Sequence, residues 1–152
     1  MPAHELSVSV VWSDIDLLEL DLAVSFAVWS GAERAYVTRD ELIAFAASLD
    51  AVVAGSTSAQ LNAGQSDLGY GVCRIFEYDR ARRLGMEVIV GHAGGNVTNR
   101  PDYARELRIS APLERGQLVA FAGALRRLVI EERGTATLEL LADWPWYEQP
   151  GT

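Results

Sequence analysis

Leu42-Ile43-Ala44-Phe45-Ala46-Ala47-Ser48-Leu49 and Leu118-Val119-Ala120-Phe121-Ala122-Gly123-Ala124-Leu125 are two copies of one phrase, Leu-x-Ala-Phe-Ala-x-x-Leu. In each copy the apolar residues recur at the i, i+3, i+4, i+7 spacing of a helix with one buried face. The sequence therefore predicts two amphipathic helices. The segments around them alternate between apolar and polar residues, which is typical of strands.

The ends of both helices carry recognisable signals. Thr38 followed by Glu41 is a capping box, in which a hydroxyl and a carboxylate each satisfy a free backbone donor at the helix start. With Gly55 as the C-cap, the first helix is predicted at residues 39–54. Pro112 suits the start of the second helix and Gly134 its end.

Alternation predicts the strands on either side of the helices. We expect the turns at 13–16, 30–33 and 80–85 and loops at 56–69 and 92–102. The inward face of the strand at 70–79 stays open, because Arg74 and Glu77 have opposite parity. The predicted strands are 6–12, 18–28, 35–37, 70–79, 86–90, 106–111 and 135–141.

The resulting order is βββ-α-βββ-α-β, which predicts an α+β fold. We expect a mainly antiparallel sheet of six or seven strands with both helices packed on one face, because the strand at 18–28 has one apolar and one polar side. Residues 1–152 would form a single domain, with 142–152 as an aromatic C-terminal tail.

The repeated phrase has two explanations, a duplication or a convergence of two helices that lie on the same sheet. We favour convergence, because the predicted intervals after the two helices differ greatly. Both helices would then carry the same apolar stripe because both cover the same sheet.

Composition narrows the classes of function. The chain has 152 residues and a net charge of −8, so it should repel nucleic acid phosphates and favour a basic protein. One cysteine excludes an internal disulfide, and no signal peptide or membrane-spanning run is recognisable. We therefore expect a cytoplasmic protein.

The polar side of the predicted sheet is the main candidate for binding. Its carboxylates would either form a solubilising surface or dock a basic partner. Aromatic residues could anchor such a partner, since they are enriched among interface hot spots; for the tail, the alternative is that it covers a sheet edge. The candidate partner-binding residues are Glu19, Asp21, Trp29, Glu87, Glu106, Glu139, Trp144 and Trp146.

A catalytic interpretation is the alternative. The carboxylates between Asp14 and Asp21, together with His92, could form the site of a small hydrolase or metal-dependent enzyme. These carboxylates match no calcium-loop pattern, and His92 has no nucleophile at motif spacing. Cys73 lacks a metal-type companion, so we expect a buried structural thiol. No metal, cofactor or catalytic residue is predicted.

Three stretches resemble short bacterial immunity-type proteins of polymorphic toxin systems, the WapI-type immunity family. These are Tyr36 through Leu49, the hairpin containing Glu77-Tyr78-Asp79-Arg80 and Gly85-Met86-Glu87-Val88, and Leu107-Arg108-Ile109-Ser110 before the second helix. The resemblance covers roughly residues 8–141. It implies a small cytoplasmic protein that binds and neutralises a cognate toxin, and it transfers no binding residues to this sequence.

The leading hypothesis is therefore a non-catalytic protein-binding module, an immunity protein whose partner is a basic toxin domain, with no nucleic acid or membrane as partner. The small hydrolase is the second hypothesis. A structural or assembly subunit is the third, and the chain could be a monomer or a homodimer.

Overall fold

The computed structural model describes residues 4–64, 68–92 and 105–142. Eight strands and two helices lie within these ranges. In chain order they are β1 (Glu5–Ser13), β2 (Leu18–Phe26), β3 (Trp29–Val37), α1 (Arg39–Ala54), β4 (Ser58–Gly64), β5 (Gly69–Glu77), β6 (Leu84–His92), β7 (Arg105–Leu113), α2 (Gln117–Glu131) and β8 (Gly134–Glu139).

The strands form two antiparallel sheets of four strands each. Sheet 1 has the order β3-β2-β1-β8, and sheet 2 has the order β4-β5-β6-β7. The predicted α+β class is confirmed, whereas the prediction of a single sheet of six or seven strands is wrong. Alternation along a strand reports which side is apolar, but it does not report which strand lies next to it.

The strand β4 was missed because its segment resembles a polar loop. Residues 58–64 lie inside the loop predicted at 56–69. Ala59, Leu61 and Ala63 are nevertheless buried, alternating with exposed polar residues. Alanine contributes little to an apolar pattern, so the alternation was weak. The observed order is βββ-α-ββββ-α-β.

Two predicted boundaries are also wrong. β2 ends at Phe26, and the chain turns at Ala27, which has a φ of 55°, so the turn predicted at 30–33 lies within β3. Pro112 belongs to β7, and α2 begins at Gln117. Proline is compatible with a strand at the edge of a sheet, and β7 is such an edge.

The bounds and caps predicted for α1 are confirmed. The Thr38 hydroxyl accepts the Glu41 amide, and the Glu41 carboxylate accepts the Thr38 amide. Gly55 ends the helix with a φ of 128°, a conformation that favours glycine. Local sequence alone therefore determines this element.

One apolar core joins both sheets and both helices. The repeated phrase supplies its helical part, since Leu42, Phe45, Leu118 and Phe121 are at most 3% exposed. The helices pack against each other, α1 packs beside β4, and α2 packs beside β8. The outer face of each sheet is therefore left uncovered, which agrees with the polar residues that alternate along its strands.

The element order repeats once. The elements β1-β2-β3-α1-β4 form one half and β5-β6-β7-α2-β8 the other, and each of the first three strands in either half has nine residues. Each sheet combines the first three strands of one half with the last strand of the other. The two halves have thus exchanged their fourth strands.

Equivalent residues of the two halves meet each other. Asp50 of α1 forms an ion pair with Arg126 of α2, 76 residues further along the chain. The pair Gly31 and Leu107 has the same separation, and a Cβ on Gly31 would lie 2.6 Å from Leu107 Cδ2. Contacts between equivalent positions are the signature of a twofold axis. The halves are therefore related by an approximate twofold rotation.

Arginines at the helix starts follow the same symmetry. Arg39 donates to the carbonyl oxygen of Asp14 at 2.7 Å, in the turn between β1 and β2, and to the Glu132 carboxylate at the end of α2 at 3.0 Å. Arg115 donates to the turn between β5 and β6 and to the Val52 carbonyl near the end of α1, at 2.7 and 2.5 Å. The start of each helix thus lies beside the end of the other.

These equivalences favour duplication over convergence. Convergence was favoured because the predicted intervals after the two helices differ greatly, and that prediction is wrong. In the structure β4 begins at residue 58 after α1 ends at 54, and β8 begins at 134 after α2 ends at 131. Register agrees as well: Leu18 pairs with Val37 in one half, and Leu84 pairs with Leu113 at the equivalent positions of the other.

Candidate functional site

The outer faces of the two sheets are formed by the residues that alternate with the buried ones along each strand. The outer face of sheet 1 consists of alternate residues from its four strands. Reading across the sheet from β3 to β8 gives three rows. These rows are Arg34-Asp21-Ser9-Thr135, Ala32-Ala23-Ser7-Thr137 and Ser30-Ser25-Glu5-Glu139.

On the outer face of sheet 2 the charges neutralise one another. Glu87 lies 3.6 Å from the Arg74 guanidinium and 3.4 Å from that of Arg108. Arg108 also lies 3.8 Å from Glu106, which accepts a 2.6 Å hydrogen bond from the Tyr70 hydroxyl. This hydrogen bond, together with burial and the charge of Glu106, raises the pKa of Tyr70 to about 12. The sheet 2 face is thus a closed network of opposite charges.

On the outer face of sheet 1 the carboxylates are not neutralised in this way. Within residues 4–64, 68–92 and 105–142, no ion pair or hydrogen bond engages the side chains of Asp21, Glu5 or Glu139. Glu5 and Glu139 are directly opposite each other in register, although like charges opposite each other are destabilising. Apart from Arg34, the charged residues of the three rows are carboxylates, so this part of the sheet 1 face is negatively charged.

A groove crosses this face. Its volume is about 330 Å³, and its lining includes Ser7, Ala23, Ala32 and Glu5. Three of these four residues are small, which is why the surface is concave there. The groove covers parts of the middle and last rows, so Glu5 belongs to its lining and Asp21 lies in the row beside it.

The predicted partner-binding residues do not share one face. Glu19, Asp21 and Glu139 lie on sheet 1, whereas Glu87 and Glu106 lie on sheet 2. The prediction of one common acidic face is wrong, because it assumed that all the strands belong to one sheet.

Trp29 also differs from its predicted position. It was assigned to the outward side of a strand reaching residue 28, but β2 ends at Phe26 and Trp29 begins β3. There it has the parity of the buried residues Ala35 and Val37, although its position at the strand end leaves it 62% exposed. Trp144 and Trp146 lie outside the described residues.

Sequence reasoning missed an aromatic pair at one end of sheet 1. Trp12 and Tyr36 contact each other edge to face, with their ring centroids 6.2 Å apart, and both are partly exposed. Interaction with Glu19, chiefly a side-chain hydrogen bond, raises the pKa of Tyr36. A β-bulge between Val10 and Trp12 brings Trp12 opposite Glu19. The consecutive apolar residues of Val10, Val11 and Trp12 were the only sequence signal of this irregularity.

A cleft of about 310 Å³ lies where β3 meets β4 and β5. Its lining includes Arg34 and Glu41, but the Glu41 carboxylate already caps α1. Arg83 and Leu113, the equivalents of Leu17 and Val37 in this lining, line a second cleft of about 250 Å³. The two clefts share only these two equivalent positions, and in the part of the chain that the structure describes no group of three His, Cys, Asp or Glu side chains that could hold a metal lies in either.

The carboxylates proposed for catalysis do not converge with His92. The Asp14 carboxylate accepts the amides of Asp16 and Leu17 and so stabilises its own turn. His92 ends β6 in sheet 2, where its Nδ1 lies 3.9 Å from Glu33. Among the described residues, no group of three His, Cys, Asp or Glu side chains could hold a metal ion.

Cys73 is buried in β5, as predicted, and is 4% exposed. Burial raises the pKa of the thiol to about 12. The thiolate, which is the reactive form, is therefore scarce at neutral pH, and the side chain acts as a small apolar core residue.

The comparisons with known proteins add no relative: no family model, curated protein or solved structure matches the chain. Neither described helix combines the length and apolarity needed to span a membrane.

Proposed function

We propose that the chain is a non-catalytic binding protein that docks a basic protein partner on the outer face of sheet 1. The single observation that supports this most is the contrast between the two faces. Glu87 on sheet 2 is neutralised by arginines of the same chain, whereas Asp21, at the equivalent position on sheet 1, is not. An external cation would supply the missing charge.

We further propose that the partner is a toxin domain and that the chain acts as an immunity protein. Steric and electrostatic occlusion of the toxin's active site would then explain the function without a catalytic group. The sequence resemblance to immunity-type proteins supports this class of partner, and the net charge of −8 suits a basic one.

The direct test is binding to the protein encoded beside this gene, if that protein contains a toxin domain. We expect a complex at micromolar concentrations or below, together with loss of the toxin's activity. Absence of a complex by titration calorimetry at these concentrations would refute the immunity assignment.

Charge reversal tests the docking face. Glu19→Lys with Asp21→Lys should slow association with the toxin domain about tenfold at low salt and flatten its salt dependence, because charges at an interface act mainly on the association rate. Stopped-flow fluorescence measures both effects. Glu114→Lys with Glu131→Lys makes the same change in net charge at exposed positions that do not belong to the outer face of sheet 1 and should alter the rate little. Equal slowing by both pairs would place the docking site elsewhere.

A further inference from the structure

Sheet 2 shows how a carboxylate is satisfied on this framework. Glu87 is the fourth residue of β6, and its carboxylate lies between the guanidinium groups of Arg74 and Arg108. Arg74 is directly opposite it on β5, and Arg108 lies on β7. The Glu87 side chain is 19% exposed, so the two arginines largely cover it.

The equivalent carboxylate of sheet 1 lacks both arginines. Asp21 is the fourth residue of β2, and the residue opposite it on β1 is Ser9, where sheet 2 has Arg74. Ala32 is the fourth residue of β3, as Arg108 is of β7. Sheet 1 therefore has a carboxylate at the position of Glu87, but short side chains occupy the positions of its two arginine partners.

Arg34 does not replace the missing arginines. It pairs with Asp21 in register, and it is among the residues that line the cleft where β3 meets β4 and β5. No ion pair within 4.0 Å joins the two side chains, both of which belong to the described part of the chain.

The groove provides the space that a guanidinium needs. Beside Ala32 its floor consists of Ala23 and Ser7, whereas Ile89 and Val72 fill the equivalent places on sheet 2. Sheet 1 thus has a smaller residue than sheet 2 at three equivalent positions, and these positions form the concave part of its outer face. The groove of about 330 Å³ begins where the side chain equivalent to Arg108 would lie.

A second group on the same face also lacks a cation. Glu5 and Glu139 are directly opposite each other on β1 and β8. Ser9 is four positions after Glu5 on β1, which places this pair roughly 13 Å along the strand from the position next to Asp21. Asp21 therefore lies beside the groove, whereas Glu5 is part of its lining.

We propose that the sheet 1 face recognises two arginine side chains of its protein partner. One guanidinium lies at the side of the groove next to Asp21, in the place that Arg108 takes on sheet 2, and the second bridges Glu139 and Glu5, which lines the groove. Arginine is favoured over lysine because its planar group donates to two carboxylate oxygens at once, while an ammonium is a compact and strongly hydrated charge. This inference rests on the proposed function and specifies the chemistry of its partner.

The first test uses hexa-arginine and hexa-lysine peptides as probes of the full chain, followed by amide chemical shifts. Hexa-arginine should shift the amides of Ser7, Ala23 and Ala32 and bind several-fold more tightly than hexa-lysine. Shifts spread over the helices or sheet 2, or equal affinity for both peptides, would overturn the assignment.

The second test rebuilds the sheet 2 arrangement on sheet 1. Ser9→Arg with Ala32→Arg supplies Asp21 with internal partners and fills the groove, so affinity for hexa-arginine should fall about tenfold or more. Ala47→Arg with Ala51→Arg adds the same charge at exposed positions of α1 and should weaken binding much less. Equal losses in the two variants would show that only net charge matters and would refute the groove.

The toxin domain separates this inference from the proposed function. If the toxin binds the wild type and the Ser9→Arg, Ala32→Arg variant equally well, the arginine site is refuted while the immunity function stands. If no toxin binds but hexa-arginine binds in the groove and the variant abolishes that binding, the immunity function is refuted while the arginine site stands.

Discussion

The Glu77 carboxylate connects segments that are distant in the sequence. At the end of β5, its carboxylate accepts hydrogen bonds from Arg82 at 2.6 Å and from Arg115 at 3.2 Å. Arg115 also donates to the Val52 carbonyl near the end of α1. One carboxylate thus links the hairpin of sheet 2 to both helices.

This geometry predicts how stability depends on pH. The hydrogen bond from Arg82 is the main cause that lowers the pKa of Glu77 below its ordinary value of 4.5, and Arg115 adds to it. Because the folded pKa is the lower one, the stabilisation is complete above about 4.5 and is lost as the pH falls through the folded value. Urea unfolding from pH 6 to pH 3 should show that Glu77→Gln removes part of this decline.

A control separates Glu77 from the general effect of acid. Glu131→Gln removes an exposed carboxylate with no partner among the described residues, so it should leave the pH dependence close to that of the wild type. The interpretation fails if Glu77→Gln and the wild type lose stability in parallel over the whole range.

At the scale of elements, the two helices differ most in how they begin. The capping box of α1 pairs Thr38 with Glu41, whereas Gly116 before α2 provides no side-chain hydrogen bond. Gly116 has φ and ψ of −61° and −27°, which is helical, while Thr38 has the extended geometry of a capping residue. Arg115 contributes its contacts at that end instead.

The caps therefore predict unequal responses to substitution. Thr38→Ala should lower the free energy of unfolding by about 1 kcal/mol, and Thr38→Ser should restore most of it, because a serine hydroxyl accepts the same amide. Gly116→Ser should add no comparable stability, since its backbone geometry does not aim the hydroxyl at the helix amides. Chemical denaturation followed by circular dichroism measures all three. A gain from Gly116→Ser equal to the loss from Thr38→Ala would contradict the geometric explanation.

At the scale of the whole molecule, the approximate twofold axis makes two places equivalent. One is the connection between β4 and β5, and the other is the place where the end of β8 lies beside the start of β1. The hairpin between β4 and β5 in sheet 2 corresponds to the pairing of β8 with β1 in sheet 1, where the Leu140 amide donates to the His4 carbonyl at 2.8 Å. The end of β8 and the start of β1 are thus as close as two strands of a hairpin.

A circular permutant tests this equivalence. A chain that starts at Leu68, joins residue 142 to His4 through a short glycine and serine linker, and ends at Gly64 should fold with the amide spectrum of the wild type. A permutant opened within α1 at Ala47 should be much less stable, because it interrupts a helix of the core. If the permutant that starts at Leu68 is unfolded, these two places are not equivalent.

Local sequence was sufficient for the elements whose signals are local. The bounds of α1 follow from Thr38, Glu41 and Gly55, and the repeated phrase identifies the buried stripe of both helices. For the same reason the α+β class could be predicted. β4 could not, because Ala59 and Ala63 carry too little apolar surface to reveal its alternation.

Only the tertiary structure decided which carboxylates share a face. Side-chain alternation places Asp21 and Glu87 on the polar sides of their strands, but pairing between distant strands assigns them to different sheets. The same pairing sets Arg74 and Arg108 beside Glu87 and places Ser9 and Ala32 at the equivalent positions around Asp21. The sequence by itself determined what each element buries, because burial depends on local periodicity, and the folded chain decided which surfaces stay charged, because neutralisation depends on neighbours far apart in sequence.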